Sequence, residues 1–285
     1  SVTENPCKQF LSNDDVAALT ENCFVADVMR KGKLVCMVLD CVKAVQGQKR
    51  VYILIHFGMT GRVSSPTKIL SLESLKDSED YPPPHTHFIF SISNSENGKN
   101  EAEVAFSDPR RFGSLQLLLD MEEQFGELAT DGLAIDAKNK EKIIAVLAEQ
   151  SSGIKTILLD QKRAVSGVGN WVADEVLYQS ELHPDQKYLS TEQASIILDN
   201  LSNILATAVQ CLSENQNFPQ DWIFNFRWQK KRVGVKDAQE RAIAFVKSAG
   251  TSVIVPSIQK KRAQQPSSKT KIVWPKIKNT VKGRA

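Results

Sequence analysis

The chain has 285 residues, 41% apolar and 24% charged, which matches a globular, water-soluble protein with room for two compact domains. No uninterrupted apolar run approaches the roughly 20 residues that cross a bilayer, and residues 1–10 lack the charged-then-apolar pattern of a secretory signal. The net charge of +3 hides an asymmetry: residues 227–285 carry +14 and the rest −11, which suits a polyanionic partner or, on charge alone, a solubilising tail.

Residues 24–29, 33–40 and 51–56 are short apolar or alternating runs separated by turn material, a strand pattern. Residues 68–84 are polar and end in Pro82-Pro83-Pro84, which predicts a surface loop. Strand character resumes at 87–92, 103–106 and 113–119, with a loop at 94–100. Short strands at this spacing predict a sandwich or barrel. The period then changes to helical over 138–149, 153–160, 171–180 and 191–213. Two strand-like runs, 242–247 and 252–255, predict a hairpin, and from Ala263 onward Lys, Ser, Gln and Pro predict a disordered tail. The five cysteines are scattered and none forms a C-x-x-C pair, so reduced thiols are expected and a cysteine zinc site is not.

Between the second and third helical runs, Ser166-Gly167-Val168-Gly169 delivers Asn170 to a new helix start. Glycines there allow positive φ and close backbone approach. The free amides of the helix N-terminus favour an anion such as phosphate. Asn170 can cap the helix or donate to a phosphate oxygen, and Lys155 adds a nearby cation. A glycine turn between packed helices would look the same by itself. The whole stretch from Ile154 to Pro184, however, resembles the helix–two-turn–helix module of the formamidopyrimidine-DNA glycosylase / endonuclease VIII family, and is especially similar to its plant and fungal branch.

Two further segments resemble the same family: Ile55-His56-Phe57-Gly58-Met59-Thr60-Gly61 and Asp108-Pro109-Arg110-Arg111-Phe112-Gly113. In isolation Met59 and Phe112 read as core residues and Asp108 as a salt-bridge partner. The resemblance implies instead that Met59, Arg110 and Phe112 enter the duplex from the minor groove. An enzyme that acts on a sugar must first unstack its base, at a cost of a few kcal/mol. Phe112 would wedge the step, Met59 fill the vacated space and Arg110 bond the orphaned partner base. The resemblance further implies phosphate contacts for Lys33, His56, Lys155, Gly167, Gly169, Asn170 and, in place of the family's hairpin arginine, Lys247.

The implied architecture is α+β and multidomain. An N-terminal antiparallel β-sandwich (1–130) precedes a helix–two-turn–helix domain (131–216), a zincless β-hairpin finger (217–262) and a basic tail (263–285). The implied function is base-excision repair: a DNA glycosylase with AP (β-elimination) lyase activity on oxidised purines and formamidopyrimidines. The partner is double-stranded DNA with an oxidised base or abasic site; no cofactor, metal or membrane is implied, and a monomer is expected. Family members open with a proline whose amine attacks C1′, followed by a glutamate. This chain opens Ser1-Val2-Thr3-Glu4, so an N-terminally truncated, catalytically inactive and poorly stable chain is expected. The alternatives are a non-catalytic damaged-DNA binder using the same clamp and, from another class, a ribosome-associated RNA binder, against which the two β-domain motifs argue. The Lys-rich residues 269–284 suit a nuclear protein, with a mitochondrial copy as the alternative.

Overall fold

The computed structural model describes residues 23–66, 81–93 and 100–262. The opening segment, most of the two polar loops and the basic tail lie outside the described residues.

Strands β1 (Cys23–Lys31), β2 (Leu34–Val45) and β3 (Gln48–His56) form a meander, completed by β7 (Ser114–Leu118) into a four-stranded antiparallel sheet of order β1-β2-β3-β7. A second sheet, order β4-β6-β5, contains β4 (Arg62–Ser64), β5 (Thr86–Ser93) and β6 (Asn100–Ser107). Strand alternation explains the layering. Val51, Ile53 and Ile55 point into the sandwich against Leu39, Phe106 and Leu115. Leu54 points the other way, with Cys36, onto Phe125 from a short helical turn, Glu122–Gly126. Edge strand β1 leaves Phe24, Val25 and Val28 exposed.

Cys23 and Cys41 face each other across β1 and β2 and are joined in a disulfide, which corrects the expectation that all five thiols are reduced. The reason is a bulge. Extrapolated from Lys31↔Leu34, the hairpin would set Cys23 opposite Val42; the irregularity between Val25 and Asp27 shifts the register by one and brings Cys41 across.

A two-stranded parallel ladder, β8 (Thr130–Asp131) with β9 (Val165–Ser166), leads into four helices. These are α1 (Ala137–Ala148), α2 (Ile154–Leu159), α3 (Asn170–Gln179) and α4 (Thr191–Ser213). Asp136 caps α1 by accepting from Asn139 N (2.7 Å). Ser190 and Gln193 form a reciprocal capping box at α4. Helix α4 is long and apolar enough to cross a membrane, contrary to the expectation that no segment would be, because scattered polar residues hid it from a count of uninterrupted apolar residues. Its Ala194, Ile197, Leu198, Leu201, Ile204 and Ala208 are packed into the helical core, while Glu192, Asp199, Asn203 and Gln210 face out. This is the amphipathic stripe of a core helix. A 3₁₀ turn (Ile223–Phe226) precedes the hairpin β10 (Ala244–Lys247) and β11 (Thr251–Ile254), which packs Val253 and Val255 on Tyr178 and Ile223.

The β sandwich meets the helices at Asp131. Its carboxylate accepts from Gly32 N (2.7 Å) and Leu133 N (2.8 Å), and pairs with Arg30 (2.8 Å). Burial alone would raise its pKa, but these donors win and hold it below the usual carboxylate value. Asp131→Asn is therefore expected to lower stability at pH 7 by about 1–3 kcal/mol, read as a lower urea midpoint. The folded pKa lies below the unfolded value of about 3.9, so the carboxylate's contribution is complete above that value and lost as pH falls through the folded one. The gap between variant and wild type should close on acidification below pH 4; a gap independent of pH would contradict the assignment.

Candidate nucleic-acid interface

Register places three turns at one end of the four-stranded sheet. Leu34 pairs with His56, and His56 with Ser114, so the β1–β2 turn, the turn after β3 and the turn before β7 lie side by side.

The second and third turns interlock. Gly58 has φ +62°, and a Cβ on it would lie 2.5 Å from the carbonyl carbon of Phe112, so no larger residue fits without moving one turn. Buried Asp108 ties them together: it accepts from Thr60 Oγ1 (2.5 Å), Arg110 N (3.2 Å) and Gly113 N (2.6 Å). Burial opposes its ionisation, but these donors lower its pKa, so it is a carboxylate at neutral pH. Arg111 sits at φ +54°, the left-handed kink that turns its neighbours outward. The result is an exposed trio. Met59 is 71% and Phe112 44% exposed, and the Arg110 guanidinium lies 4.7 Å from the Phe112 ring centroid. The three expected duplex-entering residues are thus brought together on a rigid support.

The first turn lies against the helical module. Gly32 has φ +59°, and a Cβ there would be 2.9 Å from Ser166 Cβ and 3.0 Å from Gly167 N. Gly167 has φ +100°. Gln161 holds the glycine turn, accepting from Gly167 N (2.9 Å) and donating to Val168 O (3.1 Å). Gly169 is the N-cap of α3 and supplies no side-chain cap, so the first amides of that helix stay available to an anion. Lys33 Nζ lies 3.7 Å from the position of a Cβ on Gly169. Its side chain is exposed, yet the crowding of two turns pushes its ammonium below the ordinary lysine value. His56 is lowered by burial and then by the Lys33 charge, and it accepts from Gly58 N through Nδ1 (3.2 Å). That bond assigns the proton of the neutral ring to Nε2, a donor suited to phosphate.

Asn170 opens α3 and donates through Nδ2 to Thr251 O (3.3 Å), while its buried Oδ1 has no partner. Lys247 is exposed at the end of β10, beside a turn in which Ala249 and Gly250 both have positive φ.

Lys155 departs from expectation. Its side chain is fully buried and its ammonium is spent inside the protein, on Asp174 (2.7 Å), Ser252 Oγ (2.6 Å) and Thr251 O (3.2 Å). It is not presented to a phosphate. Burial lowers the Lys155 pKa and raises that of Asp174, each opposed by the partner's charge. Arg227 pairs with the other Asp174 oxygen (3.4 Å). Sequence reasoning missed Asp174, Arg227 and Ser252, although a signal existed. Asp174 lies in the apolar run Trp171-Val172-Ala173-Asp174-Glu175-Val176-Leu177, where a carboxylate needs a buried cation. Glu175, pushed up to about 7 by burial, accepts from Phe224 N (3.0 Å) and fastens the 3₁₀ turn to α3.

The profile described as "Formamidopyrimidine-DNA glycosylase N-terminal domain" matches residues 1–115, and "Formamidopyrimidine-DNA glycosylase H2TH domain" matches 128–218. The chain belongs to the formamidopyrimidine-DNA glycosylase family. The family match thus begins at residue 1, upstream of the first motif that carried the resemblance, residues 55–61. A formamidopyrimidine-DNA glycosylase of Arabidopsis thaliana is 31% identical over 245 residues, covering 83% of this chain and 58% of that protein. That of Roseobacter denitrificans is 28% identical over 202 residues, covering 69% and 65%. The chain therefore spans about three fifths of these relatives' length. Among solved structures, the fold matches Lactococcus lactis formamidopyrimidine-DNA glycosylase bound to DNA containing an AP site, with TM-score 0.58, 19% identity and 84% and 82% of the two chains covered. It also matches MutM in complex with carbocyclic 8-oxo-G DNA, with TM-score 0.59, 18% identity and 87% and 86% covered.

Lys155→Met should leave Asp174 buried with a weaker partner set and cost about 3–5 kcal/mol, seen as a lower urea midpoint. Lys33→Ala should leave that midpoint within about 0.5 kcal/mol of wild type. Equal midpoints for wild type and Lys155→Met would contradict the buried placement.

Proposed function

We propose that this protein acts in base-excision repair as a DNA glycosylase with AP lyase activity, recognising an oxidised purine or formamidopyrimidine in duplex DNA. The observation that carries the reading is the exposed trio Met59, Arg110 and Phe112 on two turns locked by Asp108 and Gly58. Exposed apolar side chains on rigid turns beside a guanidinium have a use in DNA that a solvated surface does not offer. Phe112 inserts at the base step, Met59 fills the space the base leaves, and Arg110 satisfies the partner base. Around them Lys33, His56, the amides at Gly169–Asn170 and Lys247 are suited to holding phosphates, so the duplex is gripped on both sides of the kink.

The described residues bind, bend and orient. The family's reacting amine belongs to an opening proline followed by a glutamate, a pair that Ser1-Val2-Thr3-Glu4 does not show, and no described residue is assigned a role in the chemical step. The same trio would serve a damaged-DNA binder without chemistry, so one experiment must separate the two. Binding to a duplex with one abasic site and to its undamaged counterpart is compared, and borohydride is added in parallel to trap a covalent adduct. Preferential binding with an adduct supports the enzyme; preferential binding without one supports the binder. Phe112→Ala is expected to weaken abasic-site binding about tenfold or more while leaving the urea midpoint nearly unchanged. No preference for the abasic duplex in the wild type would overturn both readings.

A further inference from the structure

Beyond the interface described above, the loop between the 3₁₀ turn and the hairpin is exposed and so far unused. Trp228 is 73% exposed and Val233 fully so. Lys230, Lys231 and Arg232 flank them, exposed and without an ion-pair partner among the described residues. A tryptophan in open solvent amid unpaired cations is not accounted for by packing, since its ring loses the burial that ordinarily holds such a side chain.

The loop is anchored to the helical module that carries the glycine turn. The Arg227 guanidinium lies 5.1 Å from the Trp228 ring centroid and 3.4 Å from Asp174. Asp174 is one helical turn beyond Asn170 and shares Lys155 with Thr251, the residue whose carbonyl accepts from Asn170. Trp228 therefore stands on a continuous chain of contacts from the phosphate-binding turn. Its rigid side is anchored, while Arg232 N donates to Gln229 O (2.8 Å) and Gly234, at φ +72° with open space around it, turns the chain back.

We propose that Trp228 is a stacking platform for an unpaired base in DNA, with Lys230, Lys231 and Arg232 neutralising the adjoining backbone. This rests on the DNA-binding reading above and adds a second aromatic contact, separate from the Phe112 wedge. Every base offers a π face, so the platform selects for unstacked bases and not for one lesion. In a perfect duplex no base face is available, and Trp228 contributes little.

The test uses the whole chain and three probes: a perfect duplex, the same duplex with one bulged base, and the corresponding single strand, each read by fluorescence anisotropy. Trp228→Ala should weaken binding to the bulged duplex and the single strand by about 5- to 100-fold, with less than about twofold change on the perfect duplex. Trp228→Phe should retain most of the affinity and Trp228→Leu should not, since the contact needs an aromatic face. Replacing Lys230, Lys231 and Arg232 together by Ala should reduce the slope of log K against log salt by about two to three. Unchanged binding of Trp228→Ala to all three probes, or an equal loss on all three, overturns the platform while leaving the DNA-binding reading intact. Absence of binding by the wild type to any probe overturns both. Urea midpoints of the variants should match the wild type, as expected for so exposed a side chain.

Discussion

The passage of Gly32 against Ser166 and Gly167 sets the geometry of the whole interface. Two backbones approach here more closely than any side chain allows, and Asp131 fixes the approach by accepting the Gly32 amide and pairing with Arg30. The sandwich and the helical module are thereby held in one orientation. Lys33 follows Gly32 directly and reaches Gly169, so a cationic side chain from the sandwich and the first amides of a helix from the helical module are brought to one place. Neither half contains that pairing alone.

A second constraint holds the finger. The hairpin could have been pressed onto α3 by apolar contacts only, as Val253 and Val255 press on Tyr178 and Ile223. Apolar contacts are non-directional and allow small slides. The Lys155 ammonium, bonded to Asp174, Thr251 O and Ser252 Oγ, has directional partners on α3 and on β11 and permits one register. Desolvating these charges is costly, and a hydrophobic replacement of the set could be more stable. What the charges contribute is position: Thr251 O is held where Asn170 donates to it, and Arg227 is drawn to the same carboxylate.

Much of this was legible in the sequence where the physics is local. Helix α4 runs over the residues its period indicates, and the strands of both sheets other than β4 fall on the apolar or alternating runs. The interlocked turns were legible because glycine, aspartate and their neighbours carry turn geometry in their own chemistry. What escaped depends on distant partners. Strands β4, β8 and β9 are two or three residues long and have no period to read. The Cys23–Cys41 pairing needed a one-residue bulge that no local pattern announces. Lys155 was misplaced for a related reason: a lysine at a helix start looks solvated until the buried Asp174, nineteen residues on, is known to face it.

The same distinction changes what the basic C-terminal part of the chain means. Its charge excess was read as suiting a polyanionic partner or a solubilising tail; among the described residues the structure divides it. Arg227 is committed to Asp174, Arg241 to Asp237 and Lys236 to Glu240, so these cations shape the finger and its approach. Lys230, Lys231, Arg232 and Lys247 have no such commitments among the described residues, and they are what a backbone would meet. A similar division runs through the sandwich, where Arg30 is spent on Asp131 and its neighbour Lys33 is left exposed. Internal pairs fix where the unpaired cations stand, and Lys33 stands on a turn that shares a sheet end with Met59, Arg110 and Phe112. Lys33 and the exposed Met59–Arg110–Phe112 trio are consequently held side by side by the register Leu34–His56–Ser114: a shift of one residue in that line would separate them.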